Sequence, residues 1–250
     1  MSLIQTIIDL FFPPRCPFCQ SLLISGNPDG EGLQPWGRST VALEGMLCSR
    51  CAEELPWLVH CCLRCARPLT VFGDDCPYCR EHPVAFAYCC ALGSYQGALR
   101  KTLHRFKYGG EKGLAIPLGR LLAARLADTP WFPKMDVLVP VPLSVQRQRT
   151  RGYNQAALLA QTVSRELGIS SQELLKRTRD TDSQTSLGRH DRWENICGAF
   201  QESNNGEGKL QGRNVLLVDD ILTSGATVHA ATLALKEAGA AEVSVAVIAR

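Results

Sequence analysis

The chain has 250 residues and a formal net charge of +3, with 27 Lys and Arg against 24 Asp and Glu. This length can bury a full hydrophobic core and leaves room for two domains. The nearly balanced charge gives no overall basic field that would require a nucleic-acid partner, and no apolar run reaches the roughly 18–20 residues that span a bilayer.

The N-terminal stretch MSLIQTIIDLFFPPRC is apolar but does not have the features of a secretory signal peptide. It lacks a basic region and a small-residue cleavage site, and Asp9 interrupts its apolar run. We expect a short amphipathic helix, ended by Pro13-Pro14, that packs on the protein. The expected location is the cytoplasm.

Twelve cysteines in a cytoplasmic chain indicate metal binding or catalysis before disulfides. Two thiolates on one turn can bind a metal from one side, and a second such turn completes a tetrahedron. Four C-x-x-C pairs, which predict two structural zinc sites, are Cys16/Cys19, Cys48/Cys51, Cys62/Cys65 and Cys76/Cys79. The other cysteines, predicted to be small buried hydrophobic residues, are Cys61, Cys89, Cys90 and Cys197.

These four turns can be combined in more than one way. Sequential pairing joins the first turn to the second and the third to the fourth, and an interleaved cross-brace is the alternative. A Gly- and Pro-rich insertion near 22–44 separates the first two turns, which makes the first site less secure than the second. An iron–sulfur cluster is also an alternative, although the paired spacing favours zinc.

The cysteine-rich character ends after Cys79, and we predict a boundary between an N-terminal module, 1–85, and a second domain, 86–250. Apolar runs predict strands at 86–92, 136–141, 215–218 and 242–250. Helical spacing of apolar residues predicts helices at 97–106, 114–126, 156–167 and 228–238. This alternation predicts an α/β fold with a mostly parallel sheet covered by helices on both faces.

Two polar segments between these elements are candidates for contacting a ligand. Arg147, Arg149 and Arg151 occupy alternate positions of a predicted loop beyond the strand at 136–141, where guanidinium groups suit an anion. A solvated basic loop is the alternative. The segment 176–199 is long, charged and without clear periodicity, which is typical of a functional lid or of disorder.

The segment NVLLVDDILTSGATV, at 214–228, has the most specific pattern in the chain. An apolar strand, a loop of small residues and a helix N-terminus direct several donors at one point, which suits a phosphate. Gly225 leaves no Cβ in the path of the anion. The predicted phosphate-binding residues are Thr223, Ser224, Gly225, Ala226 and Thr227.

The acids Asp219 and Asp220 follow the strand of that segment. Paired carboxylates can accept hydrogen bonds from vicinal hydroxyls, so the predicted ligand is a phosphorylated ribose. A Walker-type site is excluded because the segment has no Gly-Lys-Ser/Thr. An ordinary strand-turn-helix with an acidic turn is the alternative.

The segment resembles the 5-phosphoribosyl-1-pyrophosphate (PRPP) signature of type I phosphoribosyltransferases. The chain as a whole resembles the ComF family of bacterial competence and DNA-utilisation proteins. That resemblance also rests on the cysteine pairs, the polar segment 177–200 and the terminal Ala-Arg, together with FKYGG (106–110), VPVPL (139–143) and RGYNQ (151–155). Tyr153 stands where Phe is common, a difference expected to matter little, and the insertion near 22–44 is the main departure.

The resemblance implies a double zinc ribbon over 1–85 and a type I phosphoribosyltransferase-like domain over 86–250. Asp219 and Asp220 would hold the ribose hydroxyls, and the Thr223–Thr227 loop would hold the 5-phosphate of PRPP, bound with Mg²⁺. It further implies a cytoplasmic protein that handles incoming single-stranded DNA or permits its use as a nutrient. The ribbon would be a platform for nucleic acid or for other DNA-uptake proteins.

Three functional hypotheses remain open from the sequence. A phosphoribosyltransferase, a glycosyltransferase of the pentosyl class, would displace pyrophosphate from ribose C1 through an oxocarbenium-like transition state. Arg149 and Arg151 would then face the pyrophosphate, and 177–192 would close over the site. No base pocket identifies the acceptor.

The second hypothesis is direct binding of single-stranded DNA. Nine Lys and Arg against five Asp and Glu lie between positions 147 and 192, and Tyr153 and Trp193 offer faces on which bases could stack. The third is a PRPP-sensing regulator without turnover, which fits an intact site that has no recognisable acceptor hood.

Overall fold

The computed structural model describes residues 13–23, 46–69, 76–179, 196, 198–204 and 206–250. Its strands are β1 (Cys89–Gly93), β2 (Val137–Pro140), β3 (Leu175–Arg177), β4 (Phe200–Glu202), β5 (Asn214–Ile221) and β6 (Glu242–Ala249). Four of them form a parallel sheet in the order β1-β6-β5-β2. The other two, β3 and β4, form a separate antiparallel pair.

The helices lie before and between these strands. They are α1 (Ser49–Glu54), α2 (Pro77–Glu81), α3 (Gly97–Tyr108), α4 (Ala115–Ala127), α5 (Val145–Arg151), α6 (Gln155–Leu167) and α7 (Ala226–Glu237), with short 3-10 turns at Lys112–Leu114 and Phe132–Lys134. Within the described ranges, no helix is both long enough and apolar enough to cross a bilayer.

Successive side chains of each strand point to opposite faces of the parallel sheet. Both faces are buried, because other elements pack on each of them. On one face, side chains such as Leu216 and Ala246 pack against α3, α4 and α6. On the other face, side chains such as Leu217 and Val245 pack against α7 and the β3–β4 pair. Burial on both sides explains why the strand sequences are almost continuously apolar. The predicted α/β architecture is confirmed.

Residues before position 86 contribute to both of these core layers. Phe18 and Leu55 belong to the layer of α3 and α4, whereas Leu58 and Ala66 belong to the layer of α7. The boundary between 1–85 and 86–250 stays a prediction. The shared layers mean that the two parts bury apolar surface against each other.

The prediction of a loop at 145–151 was wrong, because this segment forms helix α5. Ser144 caps its N-terminus by accepting a hydrogen bond from the Arg147 N–H at 3.3 Å, and Gly152, with a φ of +74°, ends it. None of its seven residues is buried, so the helix leaves no apolar period in the sequence. Only its caps indicate it.

Several element ends also differ from the predictions by one to three residues, and three of them matter most. Strand β5 continues to Ile221, so both acids belong to the strand and do not follow it. Helix α7 begins at Ala226, two residues before the predicted start at position 228. Strand β1 begins at Cys89 and not at position 86.

Candidate ligand-binding site and metal centres

A cavity of about 240 Å³ lies at the carboxyl ends of β2 and β5, the edge where open α/β sheets bind their ligands. Separate parts of the chain meet there. The lining residues are Tyr95, Lys107, Val141, Pro142, Leu143, Arg147, Arg151, Asn154, Gln155, Ala156, Arg177, Asp219, Asp220, Ile221, Thr223 and Thr227. Four cations face two carboxylates in this list, and the excess of positive charge suits an anionic ligand.

A larger and more open concavity, of about 510 Å³, runs along α3 beside Arg100, Lys101, His104 and Arg105. Its charged groups come from this one helix, and its lining includes neither the two acids nor the turn from β5 to α7. The smaller cavity is therefore the candidate site.

The turn from β5 to α7 has the shape expected of a phosphate loop. Thr223 and Thr227 line the cavity, and the first-turn N–H groups of α7 have no partners within the helix itself. Ser224 Oγ accepts one of them, from Ala226, at 3.4 Å. Gly225 caps the helix with a φ of +89°, a conformation that favours glycine. An added Cβ there would meet nothing closer than 3.9 Å, so the backbone angle, and not a close approach, explains the glycine.

The two acids have different surroundings. Asp220 is 6% exposed, and its Oδ1 lies 2.9 Å from Lys107 Nζ. The Oδ1 of Asp219 accepts the backbone N–H of Asp220 at 2.8 Å. Burial, and then the charge of Asp220, raises the pKa of Asp219 to about 7, although Lys107 acts in the opposite direction. A ligand that donates hydrogen bonds to Asp219 would favour its ionised form.

Lys107 was not among the site residues predicted from the sequence. It is four residues beyond Leu103 and eight beyond Leu99, so it continues the buried side of the helix. Leu99 and Leu103 are 1% and 0% exposed. A lysine on the apolar stripe at the end of a helix was the available signal.

Helix α5 directs its arginines to different sides. Arg147 and Arg151, four residues apart, line the cavity, whereas Arg149 is exposed and lies about 200° from Arg147 around the helix. Arg151 donates to Gln155 Oε1 at 3.2 Å and to Tyr108 Oη at 3.3 Å. The structure therefore brings Arg151, but not Arg149, to the two acids.

The RGYNQ segment (151–155) connects several elements that line the cavity. Gly152 ends α5, and Asn154 caps α6 while its Nδ2 donates to the Val141 carbonyl at 3.0 Å. The Tyr153 hydroxyl donates to the Phe106 carbonyl at the end of α3. Tyr153 is only 8% exposed, so the prediction that it offers a stacking face for DNA bases was wrong.

The predicted lid at 176–199 is described only at its ends. They form β3 and β4, and Arg177 of β3 lines the cavity. Residues 180–195 and 197, with Trp193, lie outside the described residues.

The eight paired cysteines form two groups in sequence order. Cys16, Cys19, Cys48 and Cys51 make up the first cluster, and Cys62, Cys65, Cys76 and Cys79 make up the second cluster. Within each cluster the sulfur atoms lie within 4.8 Å of one another. Sequential pairing is confirmed, and the interleaved alternative is excluded.

The spacing of these sulfurs fits a single tetrahedral metal ion. A Zn–S distance of about 2.3 Å gives a tetrahedron edge of about 3.8 Å. The Sγ–Sγ distances are 3.5 Å for Cys19–Cys48 and 3.8 Å for both Cys62–Cys79 and Cys65–Cys76. Backbone N–H groups also donate to one sulfur of each turn, from Ser21 to Cys19, Cys51 to Cys48, Arg67 to Cys65 and Cys79 to Cys76. Both clusters have the ligands and the spacing to hold zinc.

The other cysteines are less uniform. Cys89 and Cys90 are each 4% exposed, and burial raises the pKa of Cys90 to about 12. They are small core residues, as predicted. Cys61 is half-buried, and Cys197 lies outside the described residues.

Comparison with known proteins identifies the family. Residues 154–250 match the phosphoribosyl transferase domain model. Competence protein F of Haemophilus influenzae is 31% identical over 218 residues, which are 86% of this chain and 94% of that protein. The chain belongs to the ComF family. Among other members, the DNA utilization protein YhgH of Escherichia coli is 30% identical over 240 residues, covering 94% of this chain and 96% of its own length. Competence protein ComFC of Bacillus subtilis is 31% identical over 202 residues, covering 78% and 80%.

Solved structures show partial similarity to this ComF-family chain. A glutamine PRPP amidotransferase from B. subtilis has a TM-score of 0.36 and 22% identity, covering 56% of this chain and 26% of its own. An adenine phosphoribosyltransferase from Leishmania donovani has a TM-score of 0.35 and 17% identity, covering 57% and 55%. The chain thus spans about a quarter and about half of these two proteins. The domain match, the parallel sheet and the two cysteine clusters define the fold class, a type I phosphoribosyltransferase-like domain with an N-terminal region compatible with a zinc ribbon.

Proposed function

We propose that this chain binds PRPP, or another phosphoribosyl ligand, with Mg²⁺, and acts in the cytoplasmic handling of single-stranded DNA during DNA uptake or utilisation. One observation carries the ligand assignment: the phosphate loop, the two acids and a set of cations line the same cavity. Each group matches a different part of a phosphorylated ribose that carries a second anion at C1.

The phosphate loop would bind the 5-phosphate through Thr223, Thr227 and the N–H groups at the start of α7. Asp219 and Asp220 would accept hydrogen bonds from the vicinal ribose hydroxyls. Because Asp219 has a pKa of about 7, it is partly protonated near neutral pH, and ligand binding would shift it to the carboxylate.

The cations of the cavity would face the pyrophosphate at C1. Lys107 and Arg151 are the main candidates, with Arg147 beside them. Arg149, which the sequence suggested for this role, is exposed and is not included. Mg²⁺ bound with the pyrophosphate would neutralise part of its charge.

The DNA-related role is supported by the names of the relatives, competence protein F and DNA utilization protein. Direct contact with DNA has less support, because Tyr153 is buried and cannot stack with a base. Other DNA-uptake proteins are the proposed protein partners.

An active transferase is the second candidate. The lining of the cavity includes the apolar residues Val141, Pro142, Leu143 and Ile221 and the aromatic residue Tyr95, and such side chains could pack against a flat nucleobase-like acceptor. In that reaction the lone pair of the acceptor forms a bond to C1, while the C1–O bond breaks and its electrons leave on pyrophosphate. A PRPP-sensing regulator would bind the same ligand without this step.

Calorimetric titration with PRPP and with ribose 5-phosphate, each with and without Mg²⁺, tests the proposal. The double variant Asp219→Asn/Asp220→Asn should weaken PRPP roughly 100-fold or more, because hydrogen bonds to charged groups contribute about 1.5–3 kcal/mol each. Inorganic phosphate, which needs only the loop, should bind the variant at least as well as the wild type.

Glu237→Gln, at an exposed acid at the end of α7, is the matched control and should change nothing. Unaltered PRPP affinity in the double variant would contradict the assignment. Pyrophosphate release on mixing with PRPP and candidate bases separates an enzyme from a sensor, and salt-dependent binding of a labelled oligonucleotide tests direct DNA contact.

A further inference from the structure

The side chain of Arg250 lies between the second cluster and the phosphate loop. Its Nε donates to the Cys65 carbonyl at 2.8 Å. Its Nη1 donates to the Leu222 carbonyl at 2.9 Å and also to the Thr223 carbonyl. Its backbone is fixed at the end of β1, since the Arg250 N–H donates to the Gly93 carbonyl at 2.9 Å. One guanidinium group thus joins a metal-ligand turn to the loop.

Tyr78 makes a second connection between the same two regions. It lies between the ligands Cys76 and Cys79, and its hydroxyl donates to the Ser224 carbonyl at 3.3 Å. The Tyr78 ring is held by the Arg67 guanidinium, 3.7 Å from its centroid, and by the stacked His82 ring at 4.5 Å.

These contacts determine the direction of the loop N–H groups. Three successive carbonyls, of Leu222, Thr223 and Ser224, are held on the side of the second cluster. In a trans peptide the N–H of the next residue points away from the carbonyl, so the N–H groups of Thr223, Ser224 and Gly225 point away from the cluster. That orientation leaves them available to an anion in the cavity.

We propose that Arg250 is a positioning residue for the phosphate loop, and that the metal-loaded second cluster holds the loop in its binding conformation through Arg250 and Tyr78. This inference rests on the function proposed above and adds a link between metal occupancy and ligand affinity. Such a link is reciprocal: if the metal strengthens ligand binding, the ligand strengthens metal binding by the same factor.

The contacts of the first cluster do not reach this loop among the described residues. Its Pro17 carbonyl accepts hydrogen bonds from Arg105 and Thr102 of α3, at 3.1 and 3.4 Å. A variant that removes the first metal site is therefore an internal control, and Cys19→Ser, at an exposed cysteine, is the mildest choice.

The test is done on the zinc-loaded full chain, with ribose 5-phosphate as the probe because it lacks the pyrophosphate. Equilibrium competition with a chromogenic chelator measures zinc retention, with and without saturating ribose 5-phosphate. In the wild type and in Cys19→Ser, the ligand should increase retention of the second zinc about fivefold or more, at the low end of typical coupling between sites.

Arg250→Lys retains the positive charge, but a single ammonium group cannot donate to the Cys65 carbonyl and to the Leu222 and Thr223 carbonyls at once. Tyr78→Phe removes only the hydroxyl that donates to the Ser224 carbonyl. Both should lose the ligand-dependent protection of zinc and weaken ribose 5-phosphate by a similar factor, with thermal unfolding confirming that they fold. Arg120→Lys, at an arginine that pairs with Glu166 on the surface, should behave as the wild type.

The inference is overturned if the wild type binds ribose 5-phosphate but its zinc retention does not change, or if both Arg250→Lys and Tyr78→Phe keep full protection. A wild type that binds neither ribose 5-phosphate nor PRPP overturns the proposed function itself, and the two failures are therefore distinguishable.

Discussion

The two four-cysteine clusters have the same ligands but contact different walls of the ligand cavity. The first cluster packs on α3, which carries Lys107 at its end. The second cluster contacts the turn from β5 to α7, the proposed phosphate loop, through Arg250 and Tyr78. Two identical cysteine motifs in a sequence can therefore have different structural roles, because each cluster packs against a different element of the cavity.

The clusters also differ in exposure. Three of the four cysteines in the second cluster are buried, against two in the first, where Cys19 is exposed. A hydrogen bond between Cys19 Sγ and Ser21 Oγ, 3.3 Å apart, is the first of several causes that lower the pKa of Cys19 to about 6. The second cluster is better shielded from solvent, and we expect it to retain metal under conditions that empty the first.

The largest effect should come from Cys62→Ser. It removes one ligand of the second cluster, and structural zinc sites contribute about 10–16 kcal/mol in small zinc-finger peptides. We expect the loss of one zinc equivalent by elemental analysis, a large fall in the unfolding temperature and weak binding of ribose 5-phosphate.

Cys61→Ser is the matched control, because Cys61 is the neighbouring residue but belongs to neither cluster. It should keep both zinc equivalents. If the two variants have the same zinc content, the second cluster is not a metal site, and the comparison between the clusters loses its basis.

The wall on the side of the first cluster is tested by Lys107→Met. The side chains of Lys107 and Asp220 are 15% and 9% exposed, and removing one partner of a buried ion pair costs about 3–5 kcal/mol. Denaturant unfolding should show this loss of stability. PRPP should weaken more than ribose 5-phosphate, which has no pyrophosphate for Lys107 to contact. Lys101→Met, at an exposed lysine on the same helix, is the control. If Lys107→Met weakened PRPP and ribose 5-phosphate equally, Lys107 would not contact the pyrophosphate.

Variants of the α5 arginines test which of these side chains contacts the pyrophosphate. Arg151→Ala should weaken PRPP about 10-fold or more, since a hydrogen bond to a charged group contributes about 1.5–3 kcal/mol. Arg149→Ala, two residues away and exposed, should leave the affinity unchanged. Calorimetry with both variants decides which arginine belongs to the site, and the reverse order would restore the sequence-based assignment.

The smallest expected effect is a pH dependence caused by Asp219. Its pKa is raised from 3.8 to about 7 by burial and Asp220, with Lys107 and Arg177 acting against that shift. Because the proposed role of Asp219 requires its ionised carboxylate to accept from the ribose hydroxyls, we expect the affinity for ribose 5-phosphate to rise about tenfold between pH 6 and pH 8. The phosphate of the ligand also titrates and contributes to the dependence of affinity on pH. Asp219→Asn should leave that contribution and remove the one that comes from Asp219.

The same raised pKa affects the stability of the free protein. Between about pH 4 and pH 7 the folded state keeps a proton on Asp219 that the unfolded chain has lost, so this group makes the free energy of unfolding fall as pH rises. That contribution is fully present below pH 4 and is lost once pH passes 7. Denaturant unfolding of the wild type and Asp219→Asn across this range measures it.

Local patterns predicted the sheet because burial on both faces makes β2, β5 and β6 apolar runs. They also predicted the strand, turn and helix at 214–228 because these residues are contiguous in sequence. Arg149 was grouped with Arg151 because alternate residues share a side on an extended chain, but on helix α5 they do not, and Arg149 is exposed. Only the caps of α5 indicate this helix in the sequence. The contact of Arg250 with Cys65, 185 residues away, follows from the strand order. No local pattern contains that information.

The strand order has a consequence for synthesis of the protein on the ribosome. Strand β6 lies between β1 and β5, so β1 has no partner in the main sheet until residues 242–249 have been made. At about 5–20 residues per second, roughly 8–30 s pass between the two strands. Throughout that interval the edge of β1 is unpaired, and the edge of β5 is also unpaired from the synthesis of residues 214–221 until that of β6. A nascent chain that stops before β6 lacks the strand that joins β1 to β5. We expect such interrupted products to be substrates for chaperones or proteases, because their strand edges are exposed.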